Sequence, residues 1–193
     1  MKQVGLFFGS FNPIHVGHLI LANHFAEHTA LEEVWLVVTP QNPFKVKQSM
    51  LDNRQRLELV YRACEPYPKL KPSDIEFDLP TPNYTIDTLV RLKEKYPSHQ
   101  FTLLVGQDNL FHFHKWKNHD IILEDYGLLV YPRQSAESIP EALKNHPKIV
   151  LVAAPEINIS SSSIRTQIKN GQNIRPLMPP ESWQYLDEMN FYK

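Results

Sequence analysis

Phe8-Gly9-Ser10-Phe11-Asn12-Pro13-Ile14-His15-Val16-Gly17-His18 is the stretch on which the fold turns. It follows a short apolar run, Val4 to Phe8, with the character of a buried strand. After it, Leu21, Ala22, Phe25 and Ala26 recur at helical spacing. The stretch is therefore a turn from a first strand into a first helix. In an open parallel sheet such a turn lies at the carboxyl ends of the strands, where ligands bind. Gly9 and Ser10 are small enough for a ligand to approach the backbone, and Pro13 stiffens the loop. With a helix starting near Val16, His15 and His18 share one side of its first turn. The unpaired amides of that turn favour an anion.

Outward from this turn, strand-like and helix-like patterns alternate. Glu33 to Thr39 contains Val-Trp-Leu-Val-Val, a buried strand, and Leu57, Val60, Tyr61 and Cys64 recur at helical spacing. Ile75 to Leu79 alternates briefly and reads as an edge strand. Ile86, Leu89 and Val90 mark a helix with Thr85 as its N-cap. Phe101 to Val105, Gly127 to Tyr131 and Ile149 to Ala153 are further strands. Leu110 and Phe113 suggest a short helix. Ser162 to Asn170 reads as a helix stopped by Gly171, and Pro179 to Met189 as a last one. This alternation predicts an α/β fold, a doubly wound parallel sheet with helices on both faces. The 193 residues fit one domain spanning 1–193. The loop from Pro40 to Ser49 is expected to border the site.

Composition narrows the function. Hydrophobic content is 42% and charged content 21%, ordinary for a globular protein. A formal net charge of −1 supplies no global basic field for nucleic acid. One cysteine, Cys64, excludes an internal disulfide and suits a reducing compartment. The opening residues are too short an apolar run for a secretory signal or a membrane span. The expectation is a cytoplasmic protein without membrane or nucleic-acid partners; a homo-oligomer is left open.

Three further stretches carry chemistry. Ile159-Ser160-Ser161-Ser162-Ser163-Ile164-Arg165 follows the last predicted strand and opens a helix. One serine would suffice as an N-cap. Four hydroxyls with free first-turn amides and the planar fork of Arg165 suit phosphate oxygens. Pro82-Asn83-Tyr84-Thr85-Ile86-Asp87-Thr88-Leu89 is a loop entering a helix. Leu104-Val105-Gly106-Gln107-Asp108-Asn109-Leu110 closes a buried strand at the same sheet edge, followed by Phe113 and Trp116. Core packing is the plain alternative for Trp116.

The opening turn, within G-S-F-N-P-I-H-x-G-H-L, resembles the HxGH signature of the nucleotidyltransferase superfamily. Members of that superfamily join a nucleotide to a phosphate or acid and release pyrophosphate. Many relatives carry two glycines before the Ser/Thr; here the first is Phe8. The serine run is similar to the superfamily's I-S-S-[ST]-x-[IL]-R, which holds the triphosphate of ATP. The resemblance implies ATP contacts from Gly9, Ser10, Phe11, His15, His18, Gly106, Asp108, Ile159, Ser160, Ser161, Ser162 and Arg165. It implies His15, His18 and Arg165 as the catalytic groups. The third stretch resembles the P-x-Y-T-[IV]-D-T-L signature of nicotinate mononucleotide adenylyltransferases, a more family-specific motif than HxGH. There the helix-start amide at the position of Thr85 receives the nicotinate carboxylate. The fourth resembles that family's G-x-D-x-[LF] run, with Trp116 at the place of a tryptophan stacked on the nicotinate ring. Asn12, Lys45, Arg56, Tyr84, Thr85 and Trp116 are thus implied as substrate contacts, with Arg54 competing with Arg56. The expected substrates are ATP and nicotinate mononucleotide, with Mg²⁺ held mainly by ATP phosphates and no dedicated protein ligands for it.

Rival readings are weaker. His24-Phe25-Ala26-Glu27-His28 matches the H-x-x-E-H pattern of inverted zinc proteases, but a third ligand is wanting. His112 and His114 have no evident carboxylate or thiol partner. The dinucleotide fingerprint G-x-G-x-x-G and the P-loop pattern are absent. A phosphopantetheine adenylyltransferase would share the first motif, against which the Tyr84 to Leu89 match argues. A non-catalytic nucleotide-binding protein would release no pyrophosphate.

Overall fold

The computed structural model describes residues 1–43, 50–133 and 139–193. Six strands form one parallel sheet: β1 (Lys2–Gly9), β2 (Glu33–Val38), β3 (Leu70–Ser73), β4 (His99–Gly106), β5 (Leu128–Tyr131) and β6 (Ile149–Leu151). Their order is β3-β2-β1-β4-β5-β6. The central strands are apolar on both faces because both faces are covered. Val4, Leu6, Val34, Leu36 and Leu103 have no exposed surface.

The helices that connect the strands are α1 (Val16–His28), α2 (Asn53–Cys64), α3 (Thr85–Lys95), α4 (Gln107–Phe111), α5 (His119–Asp125) and α6 (Glu141–Lys144). Two more, α7 (Ser161–Lys169) and α8 (Pro180–Glu188), follow the last strand. One core, with Ala22 and Phe25 of α1, Leu59 of α2, Ile164 of α7 and Leu186 of α8, covers one face. The other, with Leu89 and Leu92 of α3 and Ile122 of α5, covers the opposite face. This is the expected doubly wound arrangement. The strand order reverses direction between β1 and β4. That switch point opens a crevice at the carboxyl ends of both strands, at Gly9 and Gly106.

Several local readings are corrected. The edge strand is β3, not Ile75 to Leu79, which forms turns. Pro72 lacks an amide donor, which masks the strand in the sequence, yet a strand edge tolerates it. The α3 N-cap is Tyr84, and Thr85 is the first helical residue. On α2 the inward positions are Arg56, Leu59, Val60, Ala63 and Cys64, while Tyr61 faces solvent. Gly171 ends α7 as expected, at a φ of +69° that suits glycine. The short α5 and α6 carry too few turns to show a period and were not anticipated.

Candidate active site

The turn after β1 is built from interlocking side chains. Phe11 sits in the left-handed region at φ +42° and turns its ring back under Gly9. A Cβ at Gly9 would stand 2.7 Å from that ring. Gly17 has the same logic: a Cβ there would meet Ile157 at 2.8 Å and the His15 ring at 3.1 Å. His15 is the N-cap of α1 and His18 lies in its first turn. The backbone N–H of His15 donates to Nδ1 of His18 at 3.3 Å. An Nδ1 that accepts leaves Nε2 as the ring's N–H donor. The two rings stack with centroids 3.7 Å apart. His15 is 5% exposed, and its Nδ1 has no hydrogen-bond partner among the described residues. Burial, and then the charge of Arg133, lowers its pKa to about 4. At neutral pH His15 is therefore an uncharged imidazole.

The starts of α1 and α7 are fastened together. Ser161 Oγ donates to the Pro13 carbonyl at 2.8 Å, and Arg165 Nη1 to the Asn12 carbonyl at 2.7 Å. Ser160 caps α7, its Oγ accepting from Ser163 N–H at 3.1 Å, and Ser162 Oγ accepts from Arg165 Nη2 at 3.3 Å. The hydroxyls of Ser160 and Ser161 are thus engaged within the protein. What remains for an anion is the pair of helix N-termini with their first-turn amides, together with the positive end of each dipole. Ile159 is half-buried and packs on the core beneath this start.

Across the switch point lies an open cleft. Phe8, Thr39, Asn42, Pro43, Tyr84, Thr85, Gly106 and Trp116 are among the residues that line it. Trp116 is half-buried and its ring lies 5.3 Å from Phe113, centroid to centroid. Phe7 joins the two halves: it lines the cleft and its ring sits 6.0 Å from His18. Gly106 ends β4 and caps α4, so Asp108 falls in the first turn of α4 at the same edge. Asp108 Oδ2 accepts from Arg133 at 3.3 Å. Among the described residues, His15, His18, Ser160, Ser161 and Arg165 thus lie around the joined starts of α1 and α7, and Tyr84, Thr85, Gly106 and Trp116 line the cleft.

The comparisons agree with this geometry. The cytidylyltransferase-like family model matches residues 6–167. A Christiangramia forsetii protein described as a "probable nicotinate-nucleotide adenylyltransferase" is 59% identical over 192 residues, covering 100% of this chain and 99% of its own. One of the same description from Cytophaga hutchinsonii is 49% identical, covering 98% of both chains. The chain belongs to the nicotinate-nucleotide adenylyltransferase family. In fold it matches the Plasmodium falciparum nicotinic acid mononucleotide adenylyltransferase solved with NaAD, at a TM-score of 0.81 and 22% identity. That match covers 100% of this chain and 98% of the other.

Within this family member two expected contacts are built differently. Arg56 has no exposed surface. Its Nη1 donates to the carbonyls of Ser10 and Thr39, Nε to that of Leu51, and Nη2 to Asn53 Oδ1. The expectation of a substrate contact is corrected: Arg56 is the strut under the first loop. A charge placed on a helix pattern reads as solvated in sequence, and only the packing shows it buried. Arg54 is exposed. Asn12 is 2% exposed, and its Oδ1 accepts from Leu51 N–H and from Tyr192 OH. Lys45 lies outside the described residues.

Other residues of the site escaped the sequence reading. Glu76 is 1% exposed yet lines the cleft. Its Oε1 accepts from Thr88 Oγ1 at 2.6 Å, and its Oε2 has no hydrogen-bond partner among the described residues. Burial raises its pKa, opposed by hydrogen bonds from Thr88 and Thr39. Asn83 ties the cleft wall together, donating to the Glu76 carbonyl and accepting from Gln41 N–H. Lys117 lies 4.9 Å over the Tyr84 ring and pairs with Asp87. The turn at Ile75 to Leu79, misread as a strand, hid Glu76 by placing it on a sheet edge.

Proposed function

We propose that the protein transfers the adenylyl group of ATP to nicotinate mononucleotide, giving nicotinate adenine dinucleotide and pyrophosphate. The observation that carries this is the junction of two surfaces at one switch point. One is an anion-suited pair of helix starts bearing His15, His18 and Arg165. The other is a cleft with an aromatic wall, Trp116, and a helix N-terminus, Thr85. The relatives' descriptions name the same reaction partner.

In this reading the mononucleotide phosphate oxygen attacks the α-phosphorus of ATP in line. The bond from that phosphorus to the bridging oxygen breaks, and pyrophosphate leaves with its charge. No side-chain nucleophile is required; the protein contributes placement and hydrogen-bond donors. His18 donates from Nε2. His15 contributes as a neutral group, so Arg165 supplies permanent charge. The triphosphate rests on the amides that start α1 and α7, beside Ser160, Ser161 and Ser162. Gly9, Ser10 and the backbone of Phe11 border it, with Gly106 and Asp108 on the β4 side. The nicotinate ring stacks on Trp116, and its carboxylate meets the first-turn amides of α3 at Thr85. Tyr84 flanks that start.

Among the described residues no group of three or more His, Cys, Asp or Glu side chains could hold a metal ion. When bound, Mg²⁺ would be held by phosphate oxygens and water, where it would offset phosphate charge. Among the described residues no helix is long and apolar enough to cross a membrane. Incubation with ATP and nicotinate mononucleotide tests the proposal. Formation of the dinucleotide with equimolar pyrophosphate is expected. ATP binding without pyrophosphate release would leave a nucleotide-binding protein instead.

A further inference from the structure

We propose that Tyr192, on the turn after α8, is a positioning residue of the phosphate-facing loop: its hydroxyl holds Asn12 and, through Asn12, sets the guanidinium of Arg165. The proposal rests on the reading of that loop as the ATP phosphate site. Tyr192 OH donates to Asn12 Oδ1 at 2.6 Å, a contact between residues 180 apart in the chain. The same Oδ1 accepts from Leu51 N–H at 3.2 Å. The carbonyl of Asn12 accepts from Arg165 Nη1 at 2.7 Å. Asn12 is 2% exposed, so its orientation is set by these contacts and not by water. One residue thus receives the turn after α8, the loop before α2 and the arginine of α7.

The turn itself is organised to deliver this hydroxyl. Tyr192 has a φ of +66° and Asn190 one of +53°. A bulky side chain avoids that left-handed region unless its surroundings hold it there. Phe191 holds it: it is 7% exposed, its N–H donates to the Leu186 carbonyl at 3.1 Å, and its ring meets Tyr185 edge-on at 5.4 Å. Burial keeps the hydroxyl protonated, opposed by the nearby charges of Arg165 and then Arg56. Both guanidiniums that brace the first loop therefore lie in electrostatic reach of one phenol. Tyr192 acts at a distance from the cleft of Thr85 and Trp116, which it does not line.

Tyr192→Phe tests this directly. It removes one hydroxyl, and Leu51 N–H still serves Asn12 Oδ1, so no buried acceptor is orphaned. Dissociation constants for ATP and for nicotinate mononucleotide are measured by calorimetric titration, with Tm recorded for each protein. ATP affinity should fall about three- to tenfold, as expected for losing one intramolecular hydrogen bond. Mononucleotide affinity should hold, and the ratio of the two is independent of the folded fraction. In a cycle with Arg165→Lys the double variant should lose less ATP affinity than the product of the single losses, because both act through Asn12. Unchanged ATP affinity in Tyr192→Phe, equal weakening of both ligands, or multiplicative losses in the cycle would each overturn the proposal. Wild-type protein that binds no ATP would overturn the phosphate-site reading and this inference with it. Intact wild-type binding beside an unaffected variant would overturn the Tyr192 role alone.

Discussion

His15 and His18 stack with ring centroids 3.7 Å apart, while the backbone N–H of the first donates to Nδ1 of the second. Two imidazoles this close disfavour a shared double charge. Burial and Arg133 already hold His15 neutral, so the pair offers hydrogen-bond donors and no fixed charge of its own at His15. In the proposed reaction the charge on departing pyrophosphate would then fall to Arg165, to helix amides and to Mg²⁺ carried on the phosphates.

His18→Ala removes the Nε2 N–H donor. Turnover should fall roughly 10²–10³-fold, the usual cost of one lost transition-state donor, with a much smaller change in ATP affinity. Single-turnover kinetics beside an ATP titration make the comparison. Near-normal turnover would take His18 out of the mechanism.

The buried His15 couples stability to pH. Its folded pKa of about 4 lies below the ordinary 6.5, so below pH 6.5 the unfolded chain binds a proton that the folded one refuses. The stabilisation is complete above pH 6.5 and is lost as pH falls toward 4. The full loss is on the order of 3 kcal/mol. Urea unfolding of wild type and of His15→Asn between pH 4 and 7 should show a steeper decline in wild type. Parallel curves would contradict the burial argument.

Arg56→Met should destabilise the fold by at least about 3 kcal/mol, because it strips donors from the Ser10, Thr39 and Leu51 carbonyls at once. Arg54→Ala, at an exposed position, should stay within about 0.5 kcal/mol. Thermal denaturation of both variants distinguishes a strut from a substrate contact. A fully stable Arg56→Met protein with weakened mononucleotide binding would restore the substrate role.

Substrate choice should follow the start of α3. First-turn amides at Thr85 offer donors and a positive dipole end, which suit a carboxylate. A carboxamide turned the wrong way leaves a buried donor unpaired, costing roughly 1–3 kcal/mol, about ten- to a hundredfold in kcat/KM. In the proposed pose Trp116 would stack on either ring. Trp116→Ala should therefore weaken the nicotinate and nicotinamide mononucleotides together and keep their ratio. Equal efficiencies in wild type would remove the carboxylate assignment; a ratio that collapses in Trp116→Ala would move it to the ring stack.

Local patterns carried the architecture. An apolar run, then small residues, then a helical period placed the Gly9 to His18 turn at a strand-to-helix boundary. The same grammar placed Gly106 and the serines before Arg165, because period and capping act over a few neighbouring residues. Parallel pairing followed from the alternation of strand and helix patterns along the chain. Local chemistry pointed to His15, His18 and Arg165, whereas Thr85 and Trp116 were reached only through resemblance to the family's motifs.

Tertiary structure decided what depends on partners far away in the chain. Arg56 and Arg54 lie two positions apart on one helix, and nothing local distinguishes a strut from a surface charge. The carbonyls of Ser10 and Thr39 do so, because they converge on Arg56 only when β1 and β2 lie side by side. Glu76 took its place in the cleft wall only once β3 ended at Ser73 and the chain turned beneath α3. Tyr192 acquired Asn12 across 180 residues. The order β3-β2-β1-β4-β5-β6 is likewise a product of long-range packing, and it is what sets Gly9 beside Gly106. Sequence periodicity reports the face a residue turns inward; which group meets it there is settled by the free energy of the assembled core.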